Sequence, residues 1–479
     1  MAVLEHLEPK GVFHFFEEMC AIPHGSSNTK QVSDWLMDFA RERGLEACQD
    51  QLNNVIIIKE ATPGYENVPA VILQGHMDMV CEKAPDCAKD MAREGLDLAV
   101  EGDTVYAQGT TLGGDDGIAV AMALAILDAD DIPHPRLEAV FTVDEEIGML
   151  GASGLDVSML RGRRMVNLDS ESEGVFTVSC AGGCITHCVL PIRREVSGGE
   201  ILSITVGGLR GGHSGAEIDK GLGNANTLLG RVLYACSRET ELRIVSVNGG
   251  LKDNAIPREA AAVVAAADAR EVMAVCARLD EVLKQEYRAT DPGVFVSAQA
   301  AVPEGAPMDA DTTRRVLCFL TCAPNGIQAM SADIPGLVQT SLNLGILTTG
   351  IDSVSASFCV RSSLDSQKRM LVERLECLTA ALGGAVSVSG DYSGWEYRKD
   401  SPLRELLTEV FTQQYGYAPK IEAFHGGVEC GIFAGKLPGL DCVSLGPDLT
   451  EIHTCRERLH IASVQRLWAM LLETLKRMK

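Results

Sequence analysis

The chain has 479 residues, of which 46% are apolar and 23% charged, the balance of a soluble globular protein too long for one ordinary core, so two domains are expected. With 42 basic against 66 acidic residues the net charge is −24, which argues against nucleic acid or an anionic membrane surface as partner, since both need a basic face. No apolar run approaches the roughly 20 residues of a membrane helix, and the acidic start, Met1-Ala2-Val3-Leu4-Glu5, does not read as a signal peptide. The cytoplasm is the expected compartment. Sixteen cysteines are scattered among apolar residues without zinc-ribbon spacing, and reduced buried thiols are expected.

In chain order, amphipathic patterns predict helices over Pro9–Met19 and Thr29–Arg43, the second behind a cap signal at Ser26–Asn28. Strands follow at Asn54–Ile58 and Ala70–Gln74. Gly117–Leu127 is apolar throughout and rich in alanine, which fits a buried helix better than a strand. Leu137–Val143 and Arg164–Leu168 read as further strands, and the alternation argues a mostly parallel sheet with helices on both faces. From about Pro191 the texture changes. A strand over Ile201–Val206 leads into a Gly-rich loop and a helix near Gly223–Cys236; a strand at Ala260–Ala267 runs into a helix near Val272–Tyr287. A second round follows, strand Ser353–Val360 and helix Ser366–Leu382. After Gly394-Trp395 the first texture returns, with helices at Leu403–Tyr415 and Ile461–Met478 and a strand at Cys442–Pro447.

The expected class is therefore α/β: a discontinuous domain, residues 1–188 and 394–479, with an inserted α+β domain over 189–393. Two successive strand–helix endings in the insert suggest two related halves.

Chemistry gathers at the strand ends. His76-Met77-Asp78 follows one strand, Glu145-Glu146 a second, Asp169 a third, with Asp115-Asp116 before the apolar helix and His453 after the last strand. Sites in open α/β sheets assemble at the carboxyl ends of strands. Imidazoles with carboxylates suit a divalent metal such as zinc, manganese or cobalt.

These residues also carry a resemblance. His76-x-Asp78, the Asp115-Asp116-Gly117 turn, Glu145-Glu146, Asp169 and His453 resemble the two-metal set of the M20 metallopeptidases. Met19-Cys20-Ala21-Ile22-Pro23-His24-Gly25-Ser26, Gln74-Gly75-His76-Met77-Asp78-Met79-Val80, Thr111-Leu112-Gly113-Gly114-Asp115, Cys180-Ala181-Gly182-Gly183 and Arg210-Gly211-Gly212-His213-Ser214-Gly215 are similar to the PepD-like branch, the aminoacyl-histidine or cytosol non-specific dipeptidases. The likeness runs from the first helix to the last.

The resemblance implies a metal-dependent dipeptidase acting on unblocked dipeptides, Xaa-His and β-Ala-His included, with two divalent ions per chain, zinc first and manganese or cobalt as alternatives. Asp115 would bridge the ions about 3.5–4 Å apart, so that they share one hydroxide. His76 and Asp169 would complete one position, Glu146 and His453 the other. The bond after the bridging aspartate is expected to be cis. Asp78 would orient His76 through its carboxylate, Glu145 would be the general base, and His213, in a lid formed by the insert, would stabilise the oxyanion. Asn254, Arg258 and Arg361 are candidates for holding substrate, an arginine suiting a terminal carboxylate through its planar fork. His425, in His425-Gly426-Gly427-Val428-Glu429-Cys430-Gly431, is a candidate for the specificity pocket, and His460 a rival to His453. One departure stands out: the branch reads roughly Pro-His-Ser-Pro-Asp-Glu where this chain has Ile452-His453-Thr454-Cys455-Arg456-Glu457. That puts substrate preference in doubt more than catalysis.

Three other readings stay open: an M20-like amidohydrolase of N-acyl amino acids, a Cys430/His425 hydrolase and a non-catalytic metal-binding protein. Partners are a dipeptide substrate and, for assembly, none or a second copy of the chain, as monomer or homodimer.

Overall fold

The computed structural model describes residues 3–302 and 305–479. The chain divides into two compact units, one of Met1–Ser179, Tyr397–Ala423 and Val428–Lys479, the other of Cys180–Glu396 and Phe424–Gly427.

The first unit is built on an eight-stranded sheet in the order Glu46–Gln49, Val55–Lys59, Leu137–Thr142, Val71–His76, Arg164–Asn167, Asp441–Ser444, Val175–Cys180, Lys420–Phe424. Its four middle strands, from Leu137–Thr142 to Asp441–Ser444, run parallel. Every residue of Val71–His76 and Leu137–Thr142 is buried, as a strand covered on both faces requires, which is why these segments are mostly apolar rather than alternating. The expected buried helix spans Gly114–Asp128 and is covered from Gly114 to Leu127. Its regular turns begin only at Gly117, because Asp115 and Asp116 have non-helical backbone angles. It lies against the Lys10–Cys20 helix and the Val71–His76 strand. The approach to the strand is close: a Cβ on Gly75 would stand 2.5 Å from a carboxylate oxygen of Asp116 and 2.7 Å from Cβ of Ala119. Glycine there lets the helix start sit against His76.

A second sheet of this unit pairs Leu449–Thr450, Arg458–His460, Thr104–Ala107 and Leu98–Glu101 in that order, so His453 lies on a hairpin. The Ser26–Asn28 cap signal does not act as expected. The helix begins at Lys30 with no side-chain cap, and the Asn28 amide donates to the Ala92 carbonyl instead.

The second unit holds one nine-stranded sheet with helices Ala225–Glu239, Ala269–Glu286, Ala310–Cys322 and Asp365–Ala381. Two sets of four strands repeat one order. Glu200–Gly207, Leu242–Gly249, Ala260–Ala266 and Phe295–Ala300 stand as fourth, first, third, second; so do Gly182–Pro191, Val338–Thr349, Ser353–Ser362 and Ala385–Tyr392. The sets join where Gly249 pairs with Leu347, and one apolar core runs through both. The second set takes its first strand from ahead of the first set. This unit starts at Cys180 rather than near 189, because Gly182–Pro191 pairs along its length with Ser353–Ser362. It also claims Phe424–Gly427, so His425 belongs to it and not to the domain in which 394–479 would have placed it.

All sixteen cysteines are free thiols. Among the described residues no helix is long and apolar enough to cross a membrane.

Candidate metal centre

In the first unit three parallel strands deliver acidic or imidazole groups at their C-terminal ends. His76 closes Val71–His76, Glu145 and Glu146 follow Leu137–Thr142, and Asp169 follows Arg164–Asn167. Asp115 comes from the irregular entry of the buried helix, across a cis peptide bond to Asp116. Its Oδ1 lies 3.2 Å from Nε2 of His76 and its Oδ2 3.2 Å from Nε2 of His453. One carboxylate thus faces two imidazoles, one with each oxygen. His453 Nε2 is also 2.9 Å from Oε1 of Glu146, and His76 Nε2 is 3.8 Å from Oδ1 of Asp169. Potential ligand atoms of Asp115, Glu146 and His453 lie within 4.8 Å of one another; so do those of His76, Asp116 and Asp169, and those of His76, Glu145 and Glu146. This mixed imidazole–carboxylate set is the donor chemistry of a zinc, manganese or cobalt centre, so the residues fit such ions. His460 belongs to none of these groups among the described residues.

Backbone geometry aims several of these side chains. His453 has φ 58° and Asp144, just before Glu145, φ 54°, in the left-handed region that non-glycine residues rarely occupy. Asp144 is tied there by the N–H of Ser27, which donates to its carboxylate at 2.6 Å. The Nδ1 of His76 is 2.9 Å from the backbone carbonyl of Asp78, whose carboxylate stands farther off at 3.6 Å. That carboxylate instead accepts the Ser26 hydroxyl at 2.8 Å and the Glu145 N–H at 3.1 Å. So Asp78 orients His76 through its main chain and anchors the Glu145 backbone through its side chain, a division that residue spacing could not reveal.

The electrostatics are those of a cation site. His453 is pushed up to about 10 by hydrogen bonds to Asp115 and Glu146. His76 also rises well above its ordinary value, the carboxylates of Asp115 and Asp78 outweighing its burial. Asp115 is held low despite burial by the two imidazoles it faces. Burial, with Glu146, Asp115 and Asp78 nearby, raises Glu145 to about 7.

Two acids in this unit were not singled out from the sequence. Glu429 is fully buried beneath the strand ends, where its Oε2 accepts from Gln74 Nε2 at 2.5 Å and Thr142 Oγ1 at 2.7 Å. Burial, then the charge of Glu145, lifts it to about 8. Glu457 receives four backbone N–H groups of residues 112–115. Burial raises its pKa while the N–H groups of Leu112 and Gly113 pull it back. The only sequence signal for either acid was its place inside a motif already in view.

The second unit carries the remaining candidates. His213 ends a two-residue strand, Gly212–His213, paired with Ala255–Ile256. Its Nδ1 accepts the N–H groups of Gly215 at 3.2 Å and Ala216 at 3.0 Å, which places the ring proton on Nε2. Burial and then Arg361 lower its pKa, so the ring is neutral. Arg361 is 7% exposed, has no ion pair among the described residues and meets the Tyr392 hydroxyl at 3.3 Å. His425 is buried, 2.8 Å from the Ser341 hydroxyl, and lowered to about 4 by burial and by Arg361. Asn254 and Arg258 are exposed, and the Asn254 carbonyl accepts the N–H of Ser214. Cys430, in the first unit, is buried, and that burial pushes its thiol up, away from the thiolate a Cys/His hydrolase uses.

A parallel sheet that ends in an imidazole–carboxylate cluster, with a doubled α+β insertion, is the architecture of a metallopeptidase, and residues 72–477 match the model of peptidase family M20/M25/M40, to which this chain belongs. The chain is 38% identical over 480 residues to the cytosol non-specific dipeptidase of Escherichia coli (strain K12), covering 99% of each protein. Its structure matches the crystal structure of aminoacylhistidine dipeptidase from Vibrio alginolyticus with a TM-score of 0.94 at 35% identity, over 99% of this chain and 97% of that one. A likeness of fold alone extends to aminopeptidase PepT from Bacillus cereus ATCC 10987, with a TM-score of 0.56 at 16% identity over 98% and 99% of the two chains.

Proposed function

We propose that this chain is a cytoplasmic metal-dependent dipeptidase that hydrolyses unblocked dipeptides, Xaa-His and β-Ala-His among them, with two divalent ions, zinc foremost. The activities named for the relatives from Escherichia coli and Vibrio alginolyticus support the substrate class. The observation that carries the mechanism is Asp115, with one oxygen towards His76 and the other towards His453. His76, Asp115 and Asp169 would hold one ion, and Asp115, Glu146 and His453 the other.

When bound, the ions supply an activated water and polarise the scissile carbonyl. The protein does the rest. The Asp78 carbonyl accepts a hydrogen bond from Nδ1–H of His76, leaving Nε2 free to ligate. Glu145, lifted to about 7, accepts a proton from the attacking water and returns it to the leaving amine. Asp78 keeps Glu145 in register through its N–H. His213 offers its Nε2–H to the developing oxyanion. Arg361, a buried cation with no ion pair among the described residues, would take the terminal carboxylate of the dipeptide, with Asn254 and Arg258 as further contacts and neutral His425 for the side chain.

The test is a substrate panel on chelated protein refilled with zinc, manganese or cobalt: β-Ala-His, Gly-His, Leu-Gly and N-acetyl amino acids. Cleavage of the free dipeptides with little of the N-acetyl compounds is expected. The reverse preference would replace this reading with an amidohydrolase.

A further inference from the structure

The hairpin that carries His453 also carries a buried carboxylate with an unusual set of partners. Glu457, 3% exposed, accepts the N–H groups of Leu112 at 2.7 Å and Gly113 at 3.1 Å on Oε2, and those of Gly114 at 2.8 Å and Asp115 at 3.4 Å on Oε1. Four consecutive donors at the entry of the buried helix converge on one side chain. These N–H groups lie in the irregular entry ahead of the regular turns that begin at Gly117, and buried backbone donors there need an acceptor. A neighbouring Ser, Thr, Asp or Asn usually meets that need. Here the N-cap is Gly113, which has no side chain and sits at φ 67°. The cap arrives from a residue 345 positions after Leu112.

That choice ties two parts of the metal centre together. Asp115 stands on the capped backbone, and His453 stands four residues before Glu457 on the same hairpin. Their side chains meet at 3.2 Å. We propose that Glu457 is a positioning residue which, by clamping residues 112–115 to the His453 hairpin, fixes the spacing of Asp115 and His453 and so sets the affinity of the cation position they share with Glu146. The inference rests on the two-ion reading above. A residue outside the ligands that fixes their orientation typically changes metal affinity or activity by about 10–100-fold when lost.

Glu457→Gln tests this, because its single amide oxygen can accept only part of the set and its NH₂ faces the rest. Manganese titration of chelated full-length protein, followed by calorimetry and by the magnetic-resonance signal of a coupled manganese pair, reads the two positions separately. In Glu457→Gln the weaker of the two binding steps should fall by about 10–100-fold, and the coupled signal should be lost at stoichiometric metal and return with excess, as should turnover. A purely structural role would lower the melting temperature and leave both binding steps and the coupled signal as in the wild type; that result overturns the inference. Should Glu457→Gln not fold, the same titration on Glu457→Asp, which keeps the charge but withdraws the carboxylate by one methylene, decides between the same two results. A wild type that takes up fewer than two ions at saturation overturns the two-ion reading and this inference with it. Two ions in the wild type with an unchanged variant overturns this inference alone.

Discussion

Histidine behaves in opposite ways in the two units. In the first, His76 and His453 face carboxylates and are driven towards the charged form. In the second, half-buried His213 and buried His425 are driven towards the neutral one, by burial and then by the charge of Arg361. The first unit concentrates negative charge around imidazoles, which is how a protein holds cations. The second lowers the pKa of its imidazoles beside a guanidinium that has no ion pair among the described residues, an arrangement that under the proposed reading would suit an anion.

Removing the centre of the first environment should have the largest effect. Asp115→Ala takes away the one carboxylate that faces both imidazoles, so metal content should fall below two ions per chain and hydrolysis should be lost. Atomic emission on dialysed protein, paired with the dipeptide assay, checks it. Full activity in this variant would show that the facing geometry has no functional meaning.

Glu145→Gln comes next. The variant keeps shape and surroundings but cannot carry a proton, so turnover should drop by about 10²–10⁴-fold with metal content unchanged. Loss of metal would mean that Glu145, and not Glu146, is the ligand. The same residue sets a pH dependence. Burial raises it to about 7, and the deprotonated form is the active one, so activity should climb as pH rises towards 7. Bound cations stabilise the carboxylate, so the limb falls at or below that value. A limb well above 7 that survives in the variant would belong to another group.

His213→Ala carries the comparison into the second unit. A single oxyanion donor is worth about 2.7–4 kcal/mol, or about 10²–10³-fold in turnover. Metal binding should stay intact, since His213 belongs to none of the metal-type groups among the described residues. A variant that loses metal but keeps the turnover of its loaded fraction would move His213 from donor to structural residue.

Much of this was legible in the sequence, and the exceptions have physical reasons. The strand ends that deliver His76, Glu145 and Asp169 were visible because strands buried on both faces write mostly apolar runs. The helix after Asp116 was visible because alanine-rich apolar stretches of that length do not make strands. The boundary of the inserted unit was misplaced because Gly182–Pro191 takes its fold from a partner strand far along the chain, Ser353–Ser362, and nothing local announces a non-local pairing. The Ser26–Asn28 cap failed for a related reason: a tertiary acceptor, the Ala92 carbonyl, drew Asn28 away. Glu457 escaped notice because the N–H groups it receives lie far away along the chain, and nothing local announces them. The Asp78 carboxylate is the expected partner of His76, and the structure puts the Asp78 carbonyl there instead, because the turn after His76 is not specified by residue type.

The smallest expected effect is also the one that separates charge from shape in the second unit. Arg361 is buried, pairs with no carboxylate among the described residues and reaches the Tyr392 hydroxyl with one of its terminal nitrogens. Burying a cation without a partner is costly unless something anionic arrives, and the proposed reading supplies the dipeptide carboxylate. A hydrogen bond to a charged group contributes about 1.5–3 kcal/mol, so Arg361→Met should raise KM for a free dipeptide by about 10–150-fold with a smaller change in kcat. Arg361→Lys keeps the charge but loses the two-pronged geometry, and should recover only part of the binding. The decisive control is a dipeptide amide, which lacks the terminal carboxylate. The wild type should handle it poorly, and the variants should discriminate little between amide and acid. If Arg361→Met instead weakens acid and amide equally, the arginine is serving the fold of its own unit. If it lowers kcat alone, its charge acts on the neighbouring His213, whose pKa it helps to depress, and not on the substrate carboxylate.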